Sequence, residues 1–357
     1  ASSPEAAAAH PRWLLDRLAA DWPQDSACIL EGNNTQAPMW LRVNARRTTR
    51  EAYAALLAAD GIDAEPAVSA SQALRLARPL APTRLPGWNE GLVSVQDLSA
   101  QCAVPLLDAQ RIGAALPAGW RERLHVRGEV GSTQAELLAA AARWPDRSVV
   151  VSDRQQGGRG RRGRGWHSPP GQSLALSLFV RSRTGARWPS SLTLALGVAA
   201  SEALHRAGAC GIGLKWPNDL VHDGAKLGGI LVESCAEGVV AGIGINLSLN
   251  QSARAAIGQP CTDLAAAGCR IERETLAAAL ILAWNAAFDE VLAGRVEAPL
   301  AAWAGLDALA GRRVRVESGG TPLEGIARGI DAHGRLLLDV AGECRAFTSA
   351  DVSVRPA

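Results

Sequence analysis

Leu214-Lys-Trp-Pro-Asn-Asp-Leu220 leads through a short connection into Lys226-Leu-Gly-Gly-Ile-Leu-Val-Glu233, and these two segments hold the only lysines of the chain. All other members of the 37 basic side chains are arginines. A chain that uses arginine so widely keeps lysine where a compact ammonium must reach a crowded oxygen. The apolar run Gly229 to Glu233 predicts a buried strand. This strand and the two lysines beside it are therefore the first candidate for the catalytic chemistry, and chance survival of two lysines in an Arg-rich composition is the alternative.

Length and composition indicate an ordinary globular protein with more than one domain. The 357 residues are 48% hydrophobic and 20% charged, and roughly 100 to 200 residues per domain predicts two or three domains. The net charge of +2 is too small to predict a nucleic-acid or membrane partner for the chain as a whole. Such a partner would need a local charged patch.

The N-terminal segment, the lack of long apolar runs and the cysteine and histidine patterns predict a cytoplasmic protein without metal-ligating clusters. No apolar run approaches the roughly 20 residues that span a bilayer, and the start, Ala1-Ser-Ser-Pro-Glu-Ala6, has no basic head. The seven cysteines are widely spaced without a CxxC pair, and the six histidines are scattered. These patterns predict neither a disulfide framework nor a zinc site.

The first hundred residues read as a small α/β domain. Residues 12–22 and 49–59 have helical periodicity, and Pro38 to Asn44 reads as a strand. A Pro-rich connector follows from Arg78 to Pro86. The pattern changes near Pro105 to Asp108, so we predict a first domain over residues 1–108.

From Val130 onward the pattern predicts a mixed sheet with helices, and the end of the chain predicts a small β-barrel. A capping box at Thr133-Gln-Ala-Glu136 predicts a helix that runs to about Trp144. Further long helices are predicted at 190–207 and 274–293, with strands at 148–152, 173–180, 229–233 and 239–246. Short alternating strands at 313–317, 323–330, 335–340, 343–348 and 352–355 are typical of a barrel. The predicted fold class is α+β.

The loop Gln155-Gln-Gly-Gly-Arg-Gly-Arg-Arg-Gly-Arg-Gly-Trp166 places four arginines among five glycines. Glycines let the backbone approach a ligand, and arginines supply forked donors for phosphate or carboxylate oxygens. Gly158 to Gly163 matches the dinucleotide fingerprint G-x-G-x-x-G, but that motif must open a helix, and here Pro169-Pro170 and a strand follow. A solvated basic loop that contacts RNA remains the alternative.

Two further motifs suit a bound ligand. Gly242-Ile-Gly-Ile-Asn246 puts two glycines on one face of a strand, which clears room for a ligand lying flat on the sheet, although a bulge would need the same residues. Ser132-Thr-Gln134 fits a helix N-cap and also a small polar head group.

Together, in this order and spacing, the GRGRRGR loop, KWPND, KLGGILVE and GIGIN resemble the catalytic core of biotin protein ligases over about residues 106–357. The resemblance implies a biotin/lipoate-ligase-like mixed sheet at 109–308 and an SH3-like barrel at 309–357. It also implies that biotin and ATP, with Mg²⁺, form biotinyl-5'-AMP, and that biotin passes to a lysine of the biotin carboxyl carrier protein of acetyl-CoA carboxylase.

Residue by residue, the resemblance implies three sets of site residues. Biotin contacts fall on Ser132, Thr133, Gln134, Gln155, Arg159, Gly160, Arg161, Lys226 and Gly229. Adenylate contacts fall on Arg161, Arg164, Trp166, Asn218, Asp219, Asn246 and, from the barrel, Arg355. The catalytic set is Lys226, Arg161 and Asp219. The chain departs from the family pattern at Gln134, where Asn is more frequent, and at Pro260-Cys261, which replaces a bulkier apolar stretch.

The residue types agree with this chemistry without the analogy. When a carboxylate attacks an α-phosphate, both groups are negatively charged. The carboxylate charge must be neutralised and the phosphate charge must be dispersed, so cations supply most of the stabilisation. Lys226 suits a bridge between the carboxyl oxygen and the phosphate. The mixed anhydride hydrolyses easily, and a glycine-jointed loop that closes over it would exclude water.

Residues 8–108 resemble the segment that precedes the catalytic domain of ribosomal RNA cytosine-C5 methyltransferases, through His10 to Arg17, Pro38 to Asn44 and Leu85 to Gln101. The Gly-rich methyl-donor loop and the paired catalytic cysteines of that family are missing, and no helix-turn-helix is found, so DNA binding is not expected. A fused fragment without activity and an RNA-binding segment both remain open, as does a homodimer. Lipoate–protein ligase is the second enzyme hypothesis, although those enzymes lack the GRGRRGR loop.

Overall fold

The computed structural model describes residues 9–35, 37–44, 47–67, 70, 72–98, 100, 107–182, 188–317 and 322–348, with the backbone of 353–356. The chain divides into two compact units, Ala1–Val104 and Pro105–Ala357. The sequence-based domain over residues 1–108 stays a prediction, and residues 101–106 lie outside the described ranges.

The first unit is a four-stranded antiparallel sheet with helices. Its helices are α1 (Arg12–Asp21), α2 (Ser26–Asn33) and α3 (Arg50–Ala59), and its strands are β1 (Trp40–Val43), β2 (Ala64–Pro66), β3 (Ala73–Leu76) and β4 (Val93–Val95), in the order β2-β3-β1-β4. Alternation along β1 and β3 buries Leu41 and Leu74 against Tyr53 and Leu57 of α3. These contacts form a separate small hydrophobic core.

The second unit is built on a seven-stranded mixed sheet in the order β5-β6-β7-β11-β10-β9-β8. The strands are β5 (Leu124–Val130), β6 (Val149–Gln155), β7 (Ser173–Arg181), β8 (Ile212–Lys215), β9 (Asp219–His222), β10 (Ala225–Cys235) and β11 (Gly238–Asn246). β5 and β6 pair in parallel, and the other neighbouring strands described in this sheet pair antiparallel. Because β11 is buried along its whole length, it lacks the alternation of a half-exposed strand.

In the described part of this unit, six helices accompany the sheet: α4 (Ala109–Ala114), α5 (Thr133–Ala139), α6 (Leu192–Arg206), α7 (Gln251–Ile257), α8 (Arg273–Leu292) and α9 (Glu297–Trp303). The long helices α6 and α8 pack on each other, and Trp284 of α8 donates a hydrogen bond to Leu196 O across 3.0 Å. Among the described residues, α8 alone is long and apolar enough to cross a membrane. Its buried Leu276, Trp284 and Phe288 lie in the core of the unit, as expected for a core helix.

A five-stranded antiparallel sheet forms the C-terminal part, in the order β15-β14-β13-β12-β16. Its strands are β12 (Arg313–Glu317), β13 (Leu323–Ile330), β14 (Leu336–Val340), β15 (Glu343–Phe347) and β16 (Ser353–Pro356). Its buried Val314 and Leu338 belong to the same hydrophobic core as the seven-stranded sheet. At the β13–β14 turn, Gly334 O accepts a hydrogen bond from Trp216 Nε1 across 3.0 Å.

The predicted mixed α+β fold, with a small N-terminal α/β domain and a C-terminal antiparallel sheet, is confirmed. Two local predictions are wrong. The helix after Val130 ends at Ala139 rather than near Trp144, and turns follow it. Its N-cap is Ser132, whose side chain accepts from Ala135 N, and Glu136 bonds Arg127 instead of closing a capping box.

Candidate active site

Two adjoining pockets lie on one face of the seven-stranded sheet. The first pocket lies over the central strands and is bordered by Ser177 of β7, Gly242 of β11 and Leu231 of β10. The second pocket extends from Lys226 and Asn246 to the loop after α7. Lys226 and Trp166 line both pockets. A ligand that spanned the two pockets would therefore pass these two side chains.

The closed end of the first pocket is a cluster of buried polar side chains. Gln155 Oε1 accepts from Thr133 N at 2.8 Å, and the Thr133 and Ser177 hydroxyls are 2.8 Å apart. Gln134 donates through Nε2 to Val240 O at 2.9 Å, whereas its Oε1 is buried without a partner. An unsatisfied buried acceptor is costly, so this end suits a ligand that brings an N–H or O–H donor.

Glycines on β11 keep this pocket open. Gly242 and Gly244 lie on the face that carries the pocket. A Cβ built at Gly242 would come within 2.6 Å of Gln134 Oε1, and one built at Gly244 within 2.3 Å of the Trp166 ring. A side chain at either position would therefore fill the space of a ligand lying flat on the sheet.

The loop from Gln155 to Trp166, rich in glycine and arginine, forms a hairpin over the pockets. Arg159 pairs with Gly165, Gly160 N donates to Arg164 O at 2.7 Å, and Trp166 N donates to Gly158 O at 2.8 Å. Its tip is a 3₁₀ turn at Arg161–Gly163, where Arg162 has a left-handed φ of 59°. The hairpin directs Arg159, Arg161 and Arg164 to the rim of the first pocket.

Lys226 and Asp219 form the charged pair of the site. Lys226 Nζ donates to Asp219 Oδ1 across 2.7 Å, and both side chains are about one-fifth exposed. Gly229, opposite Asp219 in the strand register, leaves room for the ammonium, since a Cβ there would lie 3.3 Å from Lys226 Nζ. The ammonium is thus held by a carboxylate, where a ligand anion could also reach it.

The two asparagines are fixed by backbone groups. Asn218 Nδ2 donates to Ile230 O at 2.9 Å, which holds the Trp-Pro-Asn-Asp segment against β10. Asn246 Nδ2 donates to Thr262 O at 2.9 Å, and Asn246 Oδ1 is buried without a partner at the wall of the second pocket. That oxygen is an acceptor available to a ligand N–H.

The structure brings the predicted residues together at these pockets. The first pocket is lined by all nine predicted biotin contacts, Ser132, Thr133, Gln134, Gln155, Arg159, Gly160, Arg161, Lys226 and Gly229, and by Asp219, Arg164, Trp166 and Asn218. Asn246 lines the second pocket. The backbone of Arg355 lies in β16, opposite Arg315 of β12, and its side chain lies outside the described residues.

Sequence reasoning missed Ser177 and Gln259. Ser177 is fully buried and lines the first pocket, but in a strand it reads as one small residue among apolar neighbours. Gln259 lines both pockets from an irregular connection that carries no periodic signal. Ser177 is opposite Gly242 in the strand register, and this pairing cannot be read from the sequence of β7 alone.

The sheet, the basic hairpin and the two pockets define the class of biotin/lipoate ligases. A model of the Biotin/lipoate A/B protein ligase family matches residues 129–250, and one of the Biotin protein ligase C terminal domain matches residues 310–355. The chain belongs to the biotin protein ligase family and is a biotin ligase.

Three similar proteins support this assignment. The bifunctional ligase/repressor BirA of Salmonella typhimurium is 36% identical over 259 residues, which are 71% of this chain and 80% of that protein. The biotin--[acetyl-CoA-carboxylase] ligase of Mycobacterium tuberculosis is 36% identical over 68% of this chain and 92% of its own. The solved structure of biotin protein ligase from Aquifex aeolicus in complex with biotin and ATP has a TM-score of 0.59 at 25% identity, covering 66% of this chain and all of that one.

The first unit is similar to another family. A model described as Methyltr_RsmF/B-like, ferredoxin-like domain matches residues 10–83. Ribosomal RNA small subunit methyltransferase B of Pectobacterium carotovorum is 50% identical over 101 residues, which are 28% of this chain and 24% of that protein. The chain thus spans about a quarter of the length of this relative. The predicted resemblance of the N-terminal segment is confirmed.

Proposed function

We propose that the first pocket binds biotin, that the second binds the nucleotide, and that biotinyl-5'-AMP forms where they meet. The observation that carries this proposal is the position of Lys226, which lines both pockets while its ammonium is held by Asp219. A biotin that entered head first would leave its carboxylate near this ammonium. The reacting carboxylate and α-phosphate would thus meet at one positive charge.

The polar end of the first pocket fits the ureido ring of biotin. Its N–H groups suit Gln134 Oε1, which has no partner, and its carbonyl suits the hydroxyl groups of Ser132 and Thr133. Gln134 is one methylene longer than the more frequent Asn, and its Nε2 is fixed by Val240 O. The extra length therefore allows Gln134 to keep its backbone anchor and still offer an acceptor.

Lys226 would stabilise the charge that develops as the biotin carboxylate oxygen attacks the α-phosphorus and pyrophosphate leaves. Arg161 and Arg164, on the hairpin, would contact phosphate oxygens as forked donors, and Asn218 would keep the Trp-Pro-Asn-Asp segment in place. Trp166 and Asn246 would face the adenylate, with Arg355 reaching it from the C-terminal sheet.

Mg²⁺ would accompany ATP and neutralise part of the phosphate charge. Among the residues that line the two pockets, in the described part of the chain, Asp219 is the carboxylate. A single carboxylate together with phosphate oxygens and waters is the usual environment of nucleotide-bound Mg²⁺. The donor set of the site therefore fits the ion.

We place the protein in the cytoplasm, with the biotin carboxyl carrier protein of acetyl-CoA carboxylase as the acceptor. We propose a catalytic domain at 109–308, a C-terminal barrel at 309–357, and an N-terminal segment, residues 1–108, that takes no part in ligation. Acyl transfer requires the acceptor lysine to approach the anhydride as a free amine. The hairpin would open to admit it.

The test is isotope exchange between ATP and pyrophosphate. Exchange that depends on biotin is the expected result, because adenylate formation is reversible without an acceptor. Exchange that depends on lipoate and not on biotin would instead identify a lipoate–protein ligase. A protein that supports neither exchange would contradict both enzyme functions.

A further inference from the structure

Cys261 has a fixed position at the wall of the second pocket. Its backbone forms a bridge to Lys226: Lys226 N donates to Pro260 O at 3.1 Å, and Thr262 N donates to Lys226 O at 2.9 Å. Arg254 Nη1 also donates to Cys261 O at 3.2 Å. Residues opposite each other in a β-bridge direct their side chains to the same face, so the backbone holds the thiol beside the reactive lysine.

The same pocket contains unsatisfied polar groups that indicate a ligand. Asn246 is 2% exposed, and its Oδ1 has no partner; Trp166 Nε1 is likewise buried without a partner. Both residues line the cavity that Cys261 lines, which encloses about 490 Å³. A cavity of about 300 to 1,000 Å³ is typical of small-molecule sites. The thiol therefore lies in a ligand site, in contrast to most buried cysteines, which are inert.

We propose that Cys261 is a modification site whose reaction with disulfides is gated by the nucleotide. This inference rests on the proposed function, because it identifies the second pocket with the nucleotide site. With the pocket empty, the Cys261 thiol loses its proton to solvent, and the thiolate attacks one sulfur of a disulfide R–S–S–R. A bond forms between Cys261 Sγ and the attacked sulfur, which keeps its R group; the S–S bond of the disulfide breaks, and the second sulfur leaves as RS⁻.

The adduct and the nucleotide exclude each other. An R group the size of glutathione occupies the cavity in which Asn246 Oδ1 and Trp166 Nε1 would meet a nucleotide. The modified enzyme therefore does not bind ATP, and bound ATP shields the thiol. Reduction with a free thiol reverses the exchange and restores the site.

The chain offers matched cysteines as controls. Cys235 has the same intermediate burial as Cys261 and lies at the end of β10, where its thiol contacts Gly238 O. Cys344 is exposed on β15. Neither lines the two pockets, so their reactivity reports general access of the reagent and not occupancy of the nucleotide site.

The experiment treats the full-length protein with 5,5'-dithiobis(2-nitrobenzoate), with and without ATP, and quantifies the mixed disulfide at each cysteine by peptide mass spectrometry. ATP at ten times its Kd should slow modification of Cys261 about tenfold, by mass action. Cys235 and Cys344 should react at unchanged rates. ATP binding to the modified protein, measured by calorimetry, should be lost and should return after treatment with dithiothreitol.

Two variants complete the test. Modification should abolish ATP binding in Cys235→Ser and spare it in Cys261→Ser, each compared with its own untreated sample. Unreactive Cys261, modification that ATP does not slow, or intact ATP binding after modification would overturn the inference and leave the ligase function standing. Absence of ATP binding in the untreated wild-type protein would instead overturn the proposed function.

Discussion

Lys226 Nζ lies 2.7 Å from Asp219 Oδ1 because strand β10 contains a bulge. Lys226 is opposite Val221 in the register of β9 and β10, whereas Gly229 is opposite Asp219, and the register shifts by one residue between them. If the register of Gly229 and Asp219 continued without this shift, Lys226 would lie opposite His222, and its side chain would point to the other face of the sheet. The bulge thus directs the ammonium to the carboxylate and to the pockets.

We predict that Lys226→Ala loses adenylate formation by about 100 to 1,000-fold, the usual effect of removing one preorganised donor to a developing charge. Lys226→Arg should recover little, because the wider guanidinium does not fit beside Gly229. Biotin-dependent exchange between ATP and pyrophosphate measures both, with circular dichroism as the control for folding. Near-normal exchange in either variant would contradict the assignment.

Gly242→Ala and Gly244→Ala should separate the two pockets. A Cβ at Gly242 meets Gln134 Oε1, so we expect a weaker affinity for biotin, by about 5 to 150-fold for an overpacking of about 1 to 3 kcal/mol. A Cβ at Gly244 meets the Trp166 ring and should mainly raise the KM for ATP. The two KM values, measured for both variants, check this. Equal effects on both substrates in both variants would refute the division.

Arg161→Gly should label bystander lysines near the enzyme. Arg161 lies at the tip of the hairpin that covers the pockets, and a weakened cover would release the anhydride before the acceptor arrives. Mass spectrometry of an added inert protein measures the stray biotin, with the wild-type enzyme as reference. A variant that stays specific, or that loses all activity, would show that the hairpin does not retain the adenylate.

A protein that begins at Pro105 should ligate biotin at a rate close to that of the full chain. The first unit has its own hydrophobic core, and all the residues proposed for ligation lie in the second unit. Transfer of labelled biotin to a carrier domain measures the rate, and neither protein should methylate ribosomal RNA. Unfolding or loss of ligation after truncation would require a different domain division.

Tyr53 should control the alkaline stability of the first unit. Burial and then the nearby Asp60 raise the pKa of Tyr53 from 10.0 to about 12, and its hydroxyl donates to Pro86 O at 2.9 Å. Because the unfolded tyrosine ionises first, its contribution is intact below pH 10 and is lost between pH 10 and about 12, by about 2 to 3 kcal/mol.

Tyrosinate absorbance reports this group directly, because Tyr53 is the one tyrosine of the chain. For the wild-type protein, the free energy of unfolding from denaturant titrations should be lower at pH 12 than at pH 9. In Tyr53→Phe this decrease should be smaller by the contribution of Tyr53. An ionisation midpoint near 10 in the folded protein would contradict the prediction.

The motif-bearing elements of the site could be predicted from the sequence. Gly242 and Gly244 are two residues apart on one strand, so both lie on the same face of the sheet and toward the same ligand. Residue type and spacing also predict the arginines of the loop at 155–166 and Lys226 as site residues. The predicted long helices and barrel strands agree with the structure to within one or two residues, because their apolar periodicity is strong.

Other features depend on tertiary contacts that no local pattern encodes. The helix that begins at Thr133 ends early, although the sequence pattern continues. The bulge at Lys226 does not change the hydrophobic periodicity of the sequence. Cys261 reaches the second pocket through a β-bridge to Lys226, 35 positions earlier in the chain. Ser177 enters the site only because β7 pairs with β11.

The turn between β13 and β14 carries a consequence for how the protein can be divided. Gly334 accepts from Trp216, the neighbour of Lys215, and a Cβ at Gly334 would come within 2.8 Å of Leu194 in α6. With Val314 and Leu338 buried in the common core, the C-terminal sheet is not a detachable module. We therefore expect it to melt together with the catalytic sheet as one cooperative unit, and we expect a chain shortened at Leu309 to yield an unstable enzyme and not a minimal one.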